Sequence, residues 1–242
     1  MGILDQAAPV GEVAPWVKMC VYGDPGVGKS TFCATAPAPL FLDVEKGTLV
    51  LKGKPEFKDV LVLQVQDYKT LEKVYWELKE GGLSEIKTVV LDTFTELQKR
   101  VLDGIVREQV LTNSLRKGNP YLPQLQDYGQ NTHMLRRLLV AFCELDRHVI
   151  FTAHAIETKD EEVLVWRPAI TQKLWESVEG LMDVVGFLTV ETDKDRNIRR
   201  QMQVQPSRRV KAKCRIAMPE NPGIIENPTF QMFVDALERM NR

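Results

Sequence analysis

The chain has 242 residues, of which 27% are charged, and a net charge of −1. That length supports one α/β domain with a good core, or at most two small ones. A balance so close to neutral excludes a globally basic nucleic-acid binder while leaving room for a local basic patch, and no apolar run is long enough to span a membrane.

Met1–Pro15 is small, polar and interrupted by Pro9 and Pro15, which predicts a flexible arm ahead of a single domain over 16–242. Val17–Tyr22 reads as a buried strand, and a helix is expected from Lys29. Between them, Gly23–Asp24–Pro25–Gly26–Val27–Gly28–Lys29–Ser30 fits G-x-x-x-x-G-K-[ST] without a mismatch. With glycine near 7% of residues, chance alone produces this pattern in about one chain of this length in a hundred. The flanking strand and helix set aside the bland alternative of a glycine turn beside a surface lysine. The glycines let backbone N–H groups approach phosphate oxygens, and the helix start adds unpaired donors and the positive end of its dipole. Lys29 supplies a point charge for the β- and γ-phosphates, and the Ser30 hydroxyl can ligate Mg²⁺. Gly23 through Thr31 is therefore the predicted nucleotide-binding segment, with Mg²⁺ as the expected companion ion.

Further along, Leu40–Glu45 and Val60–Val65 read as strands. Asp67 is placed to cap a helix whose Leu71, Val74, Tyr75 and Leu78 share one face, and Gly81–Gly82 ends it. Lys87–Asp92 is a fourth strand, and the helix after it buries Leu97, Val101 and Ile105. Thr112–Gln126 loses periodicity around Gly118, Pro120 and Pro123 and predicts a long loop. A helix carrying Leu135, Leu138, Leu139 and Phe142 leads to strand five, Val149–Ala153. Strands alternating with helices imply a largely parallel α/β sheet with right-handed crossovers. The last third changes character: Glu162–Trp166 reads as one arm of a hairpin. Val184–Val190, Ile198–Val204 and Val210–Ile216 predict a β-meander turning at Asp193–Asn197, and a proline-rich loop leads to a final helix.

Asp92 ends its strand where a Mg²⁺-binding carboxylate is needed. Its alternative occupation is a helix cap, although Thr93–Glu96 fits a capping box that would leave Asp92 free. A second carboxylate must orient or deprotonate water. Glu45 at the tip of the second strand is favoured over Glu96, because carboxyl ends of parallel strands converge on a ligand. Cys20, Cys33, Cys143 and Cys214 lie far apart, with no C-x-x-C and no Cys/His pairing. Together with the lack of a basic-then-apolar N-terminus, they point to reduced thiols in a cytoplasmic protein.

The P-loop, the strand ending Phe41–Leu42–Asp43–Val44–Glu45 and the strand Val89–Val90–Leu91–Asp92 together resemble the RecA-like ATPase core. The resemblance implies ATP and Mg²⁺ as ligands, Glu45 as the water-activating residue, and a γ-phosphate sensor after strand five. His154 stands at that last position, where recombinases usually carry glutamine. Val210–Ile216 alternates strictly and places Lys211, Lys213 and Arg215 on one face. A solvated strand face explains that pattern too, but Lys213-x-Arg215 is similar to the Lys-x-Arg fingers that RecA-like ring ATPases insert into a neighbouring subunit's site. That likeness implies a homo-oligomer, either ring or filament.

Asp127–Tyr128–Gly129, Thr152–Ala153–His154, Asp183–Gly186 and the late Ala212–Lys213-x-Arg215 further resemble phage Sak-type ATPases of single-strand annealing and recombination. The resemblance implies single-stranded DNA as partner, held by loops at Thr112–Gln126 and about Ala155–Lys173, with a single-strand-binding protein as a candidate accessory. Arg116, Lys117 and Tyr121 in the first loop, and Trp166 and Arg167 in the second, are the expected contacts. Arg196, Arg199, Arg200, Arg208 and Arg209 form a basic cluster that suits either DNA or a subunit interface. The competing reading is a nucleotide-driven motor or switch that acts on protein partners, and a small-molecule kinase is the weaker third.

Overall fold

The computed structural model describes residues 7, 9, 11, 16–112, 119, 121–192, 198–218 and 223–240. Most of the expected N-terminal arm, the Asp193–Asn197 turn, and Arg116, Lys117 and Arg196 lie outside the described residues. In chain order the elements begin β1 (Lys18–Gly23), α1 (Lys29–Ala34), β2 (Pro39–Asp43), β3 (Leu61–Gln64), α2 (Tyr68–Lys79) and β4 (Thr88–Asp92). There follow α3 (Phe94–Thr112), α4 (Leu125–Cys143), β5 (His148–Asp160), β6 (Val163–Pro168) and α5 (Gln172–Val178). The chain closes with β7 (Val184–Thr192), β8 (Ile198–Gln203), β9 (Lys213–Cys214), β10 (Ile224–Glu226) and α6 (Phe230–Met240).

One sheet runs in the order β10-β8-β7-β1-β5-β4-β2-β3. From β7 across to β3 the neighbours are parallel, whereas β8 and β10 add antiparallel to the far edge. The central strands are apolar runs because both faces are covered, as a parallel sheet requires. Alternation divides their side chains between two cores. Cys20, Tyr22, Leu42, Leu91 and Phe151 meet α2, α3, α4 and α5 on one face. Met19, Val21, Phe41, Val90 and Ile150 meet α1 and α6 on the other. The architecture is a mostly parallel α/β sheet with helices on both faces and antiparallel strands at its C-terminal end. Its carboxyl edge carries the tips of β1, β2, β4 and β5 side by side.

Local signals behave as the sequence suggests at α2. Asp67 accepts from the Thr70 N–H at 2.8 Å, Leu71, Val74 and Leu78 are buried, and Gly81 follows at a φ of 89°. Three expectations need correction. Strand five does not stop at Ala153: β5 continues to Asp160 and folds back on β6, so most of the expected second loop is a paired hairpin. The first loop ends earlier than expected, because a capping box between Gln124 and Asp127 starts α4 at Leu125. The third meander strand shrinks to β9, which pairs with Val184 and Val185 at the beginning of β7, while β8 occupies the rest of that strand. Val210, Ala212 and Ile216 are still buried, so the alternation in Val210–Ile216 records an inward-facing side of the chain rather than a full ladder.

Candidate nucleotide and magnesium site

β1 ends at Gly23 and the chain turns through Asp24–Val27 to Gly28, which stands at a φ of 101° immediately ahead of α1. Only glycine is comfortable there: the angle is left-handed, and a Cβ would lie 2.5 Å from the Arg200 Nε. Lys29 is almost fully buried, and its ammonium donates to the Gly23 and Asp24 carbonyls at 2.9 Å each. Burial holds that ammonium below its ordinary pKa, with Asp92 and Glu45 pulling the other way.

Asp92 sits at the tip of β4 and is 3% exposed. The Ser30 hydroxyl donates to its Oδ2 at 2.7 Å and the Thr152 hydroxyl to its Oδ1 at 2.6 Å. Burial raises the Asp92 carboxyl above the usual range, and those two hydroxyls oppose the rise. The helix cap belongs to the next residue, because the Glu96 N–H donates to Thr93 Oγ1 at 3.3 Å. Ser30 and Asp92 are both hard oxygen donors. A Cβ on Gly47 would still lie 3.8 Å from Asp92 Oδ2 and 3.9 Å from Ser30 Oγ. Ser30, Gly47 and Asp92 all line one cavity, and that donor set suits Mg²⁺, which keeps several of its waters.

Glu45 follows β2 and faces the same space. Its Oε1 accepts from Thr93 Oγ1 at 2.6 Å and lies 2.9 Å from His154 Nε2. The hydrogen bond from His154 is the chief reason its carboxyl is held below the ordinary value, with Thr93 adding to it. His154 Nδ1 is buried without a partner among the described residues. The His154 backbone N–H donates to Thr95 Oγ1 at 2.9 Å. Glu96 turns away, towards Lys99 at 3.3 Å and Arg100 at 3.7 Å.

A cavity of about 230 Å³ is lined by Pro25, Gly26, Gly28–Thr31, Glu45, Gly47, Val50, Asp92, Thr93 and His154. Gly23, Asp24 and Val27 do not line it; their carbonyls hold Lys29 and Arg200 instead. Asp43, fully buried, accepts from the Gly47 and Thr48 N–H groups, the Thr48 hydroxyl and Gln64. It thereby ties down the turn Gly47–Leu51 that roofs one side. Sequence reasoning missed Thr93 and Thr152 as partners of the carboxylates, and Asp43 as the anchor of the roof. Their only signal was position, each within a residue or two of a motif residue.

The remaining candidates lie elsewhere. Lys213 Nζ donates to the Glu179 carbonyl at 3.0 Å, and Arg215 Nη2 to the Gly180 carbonyl at 3.0 Å. Because β9 pairs with the start of β7, level with the start of β1, both stand at the opposite end of the sheet from the P-loop. Trp166 stacks on Phe187 with centroids 5.8 Å apart, and Arg167 braces the hairpin through Thr158 Oγ1 and the Ile170 carbonyl. Tyr121 is 75% exposed, with Leu122, Leu125 and Tyr128 exposed beside it.

Among solved structures, the chain is similar to the KaiC-like protein of the hyperthermophilic archaeon Pyrococcus horikoshii OT3. That likeness has 15% identity, 88% of this chain and 89% of that one covered, and a TM-score of 0.46. It is similar to the RadB recombinase at 16% identity, with 88% and 87% covered and a TM-score of 0.46. Both are distant likenesses. No curated protein sequence matches the chain. A family model described as AAA domain matches residues 16–216, which include every cavity-lining side chain and both strands that carry the carboxylates. The chain belongs to the AAA domain family.

Proposed function

We propose that this chain is a magnesium-dependent ATPase that assembles as a homo-oligomer on single-stranded DNA, in recombination or annealing of the Sak type. The observation that carries the ATPase reading is the convergence of Lys29, Ser30, Asp92, Glu45 and His154 on one cavity at the carboxyl edge of the sheet. The P-loop N–H groups and Lys29 bind the β- and γ-phosphates. Magnesium held by Ser30 and, through water, by Asp92 would offset the charge on those phosphates. Glu45, ionised at neutral pH, orients the attacking water and draws on its proton. Thr93 and His154 fix the direction of its carboxylate. His154 gains a second acceptor when a γ-phosphate arrives, so ligand and Glu45 compete for the same imidazole.

Support for a DNA partner is chemical. α4 is tied to α3, which starts at the site: Asn131 donates to the Gln98 carbonyl, and Gln98 bonds Ala169 and Thr171 beyond the hairpin. Exposed Tyr121 and Tyr128 around the start of α4 offer faces for bases to stack on. Thr95 joins the same polar chain, donating to Ala169 and accepting from His154, so a shift at His154 has a physical route to α4.

Two measurements test this reading. Lys29→Ala should lose ATP hydrolysis while melting like the parent protein; unchanged turnover would remove the P-loop assignment. Hydrolysis should rise on titration with single-stranded DNA, and the rise should shrink with salt. A flat response would transfer the role to a motor or switch acting on protein partners.

A further inference from the structure

The cavity at the P-loop is smaller than the roughly 300–1,000 Å³ that encloses a whole small-molecule ligand. It holds Asp92, Glu45 and His154, the groups suited to the far phosphates. The nucleoside end of the ligand must therefore lie outside it. The turn Gly47–Leu51, tied to Asp43, closes the β2 side. Gly28 lines the cavity, and the Arg200 side chain of β8 lies against it.

Arg200 reaches in from β8. Its Nε donates to the Val27 carbonyl at 3.2 Å, and its Cδ, Nε and Cζ fill the space where a Cβ on Gly28 would stand. Its backbone is pinned on both sides by Asn227, whose side-chain oxygen accepts from the Arg200 N–H and whose N–H donates to the Arg200 carbonyl. Neither terminal guanidinium nitrogen has an acceptor among the described residues, and no carboxylate pairs with it there. The result is a pre-positioned cation against the P-loop with two spare donor nitrogens.

We propose that Arg200 binds the α-phosphate of a nucleoside di- or triphosphate from within the same chain; this rests on the P-loop reading above. Because the α-phosphate is common to ADP and ATP, Arg200 contributes to affinity for both and little to the chemical step. A charge-assisted contact of this kind is worth about tenfold in affinity.

The test is a titration with a fluorescent ADP analogue and with a non-hydrolysable ATP analogue, using Arg200→Ala, Arg200→Gln and Arg200→Lys after each is shown to melt normally. Arg200→Ala and Arg200→Gln should weaken both ligands about tenfold, with Arg200→Lys recovering most of the loss. A guanidinium that only buttresses the Val27 carbonyl gives a different order, with Arg200→Gln recovering as much as Arg200→Lys, since both side chains can donate to a carbonyl. That order, or unchanged binding in Arg200→Ala, overturns the inference. If Lys29→Ala loses binding while Arg200→Ala does not, Arg200 alone is removed and the P-loop reading stands. A parent protein that binds neither ligand removes both.

Discussion

At the scale of single residues, the decisive group is Glu45. Its carboxylate is gripped by one hydroxyl and one imidazole, and the favourable contacts with the charged form keep it ionised. An ionised carboxylate fixed at two points is a good orienter of water and a modest base. Glu45→Gln preserves the side chain's shape and its acceptor for Thr93 but removes the charge. Turnover should fall about 10²–10³-fold while nucleotide affinity barely moves, as read by steady-state hydrolysis beside equilibrium binding. Should Glu96→Gln produce that fall instead, the role passes to Glu96. This part of the site was legible in the sequence because the P-loop pattern and the strand tips restrict where a phosphate and its carboxylates can meet. Thr93 and Thr152 were not, since the first was already occupied as a helix cap and a threonine on a buried strand, like the second, is as often a filler of β-structure as a donor.

At the scale of elements, the long apolar runs announced themselves: β1, β2 and β4 stand within a residue or two of where their hydrophobicity places them. What failed was pairing. β5 becomes polar and exposed after Ala153, so nothing in its pattern distinguishes a projecting hairpin arm from a loop. α4 opens on a Gln124–Asp127 box hidden behind Pro120 and Pro123, which read as loop. The opposite end of β1 is held by His148 at the start of β5. Its Nδ1 accepts from the Val17 N–H at 3.0 Å, and its ring meets Trp16 and Phe230 edge-on. Burial, with Lys18 nearby, pulls its pKa down to about 4. The folded chain therefore prefers neutral His148, and below pH 6.5 the unfolded chain binds the extra proton. Stability is complete above about pH 6.5, falls as pH drops towards 4, and levels off below that. Between pH 7 and pH 5 this one group should cost about 2 kcal/mol. His148→Gln, which keeps an acceptor for Val17 but cannot titrate, should lose correspondingly less in urea unfolding at the two pH values. Equal losses would place the pH sensitivity elsewhere.

At the scale of the whole molecule, the question is what completes the site. Arg200 approaches the P-loop from its own chain, whereas Lys213 and Arg215 cannot, since β9 lies at the far end of β7 from Gly23. Their present partners are the Glu179 and Gly180 carbonyls and Asp183, whose Oδ1 is 3.6 Å from Arg215 Nη1. The Arg215 side chain is 54% exposed, and so loose a surface pair is worth about 1 kcal/mol or less. It is easily exchanged for a better anion. If these cations serve catalysis, they serve a neighbouring copy through a head-to-tail contact, which is the kind that generates rings or filaments. Lys29→Ala chains keep Arg215 but have a dead P-loop; Arg215→Ala chains have the reverse. Neither should hydrolyse ATP well alone. Mixed in equal amounts, they should regain about a quarter of parental turnover, because one interface in four joins an intact P-loop to an intact arginine. Absence of rescue at every mixing ratio would show that Arg215 does no work in trans and belongs only to the turn it now braces.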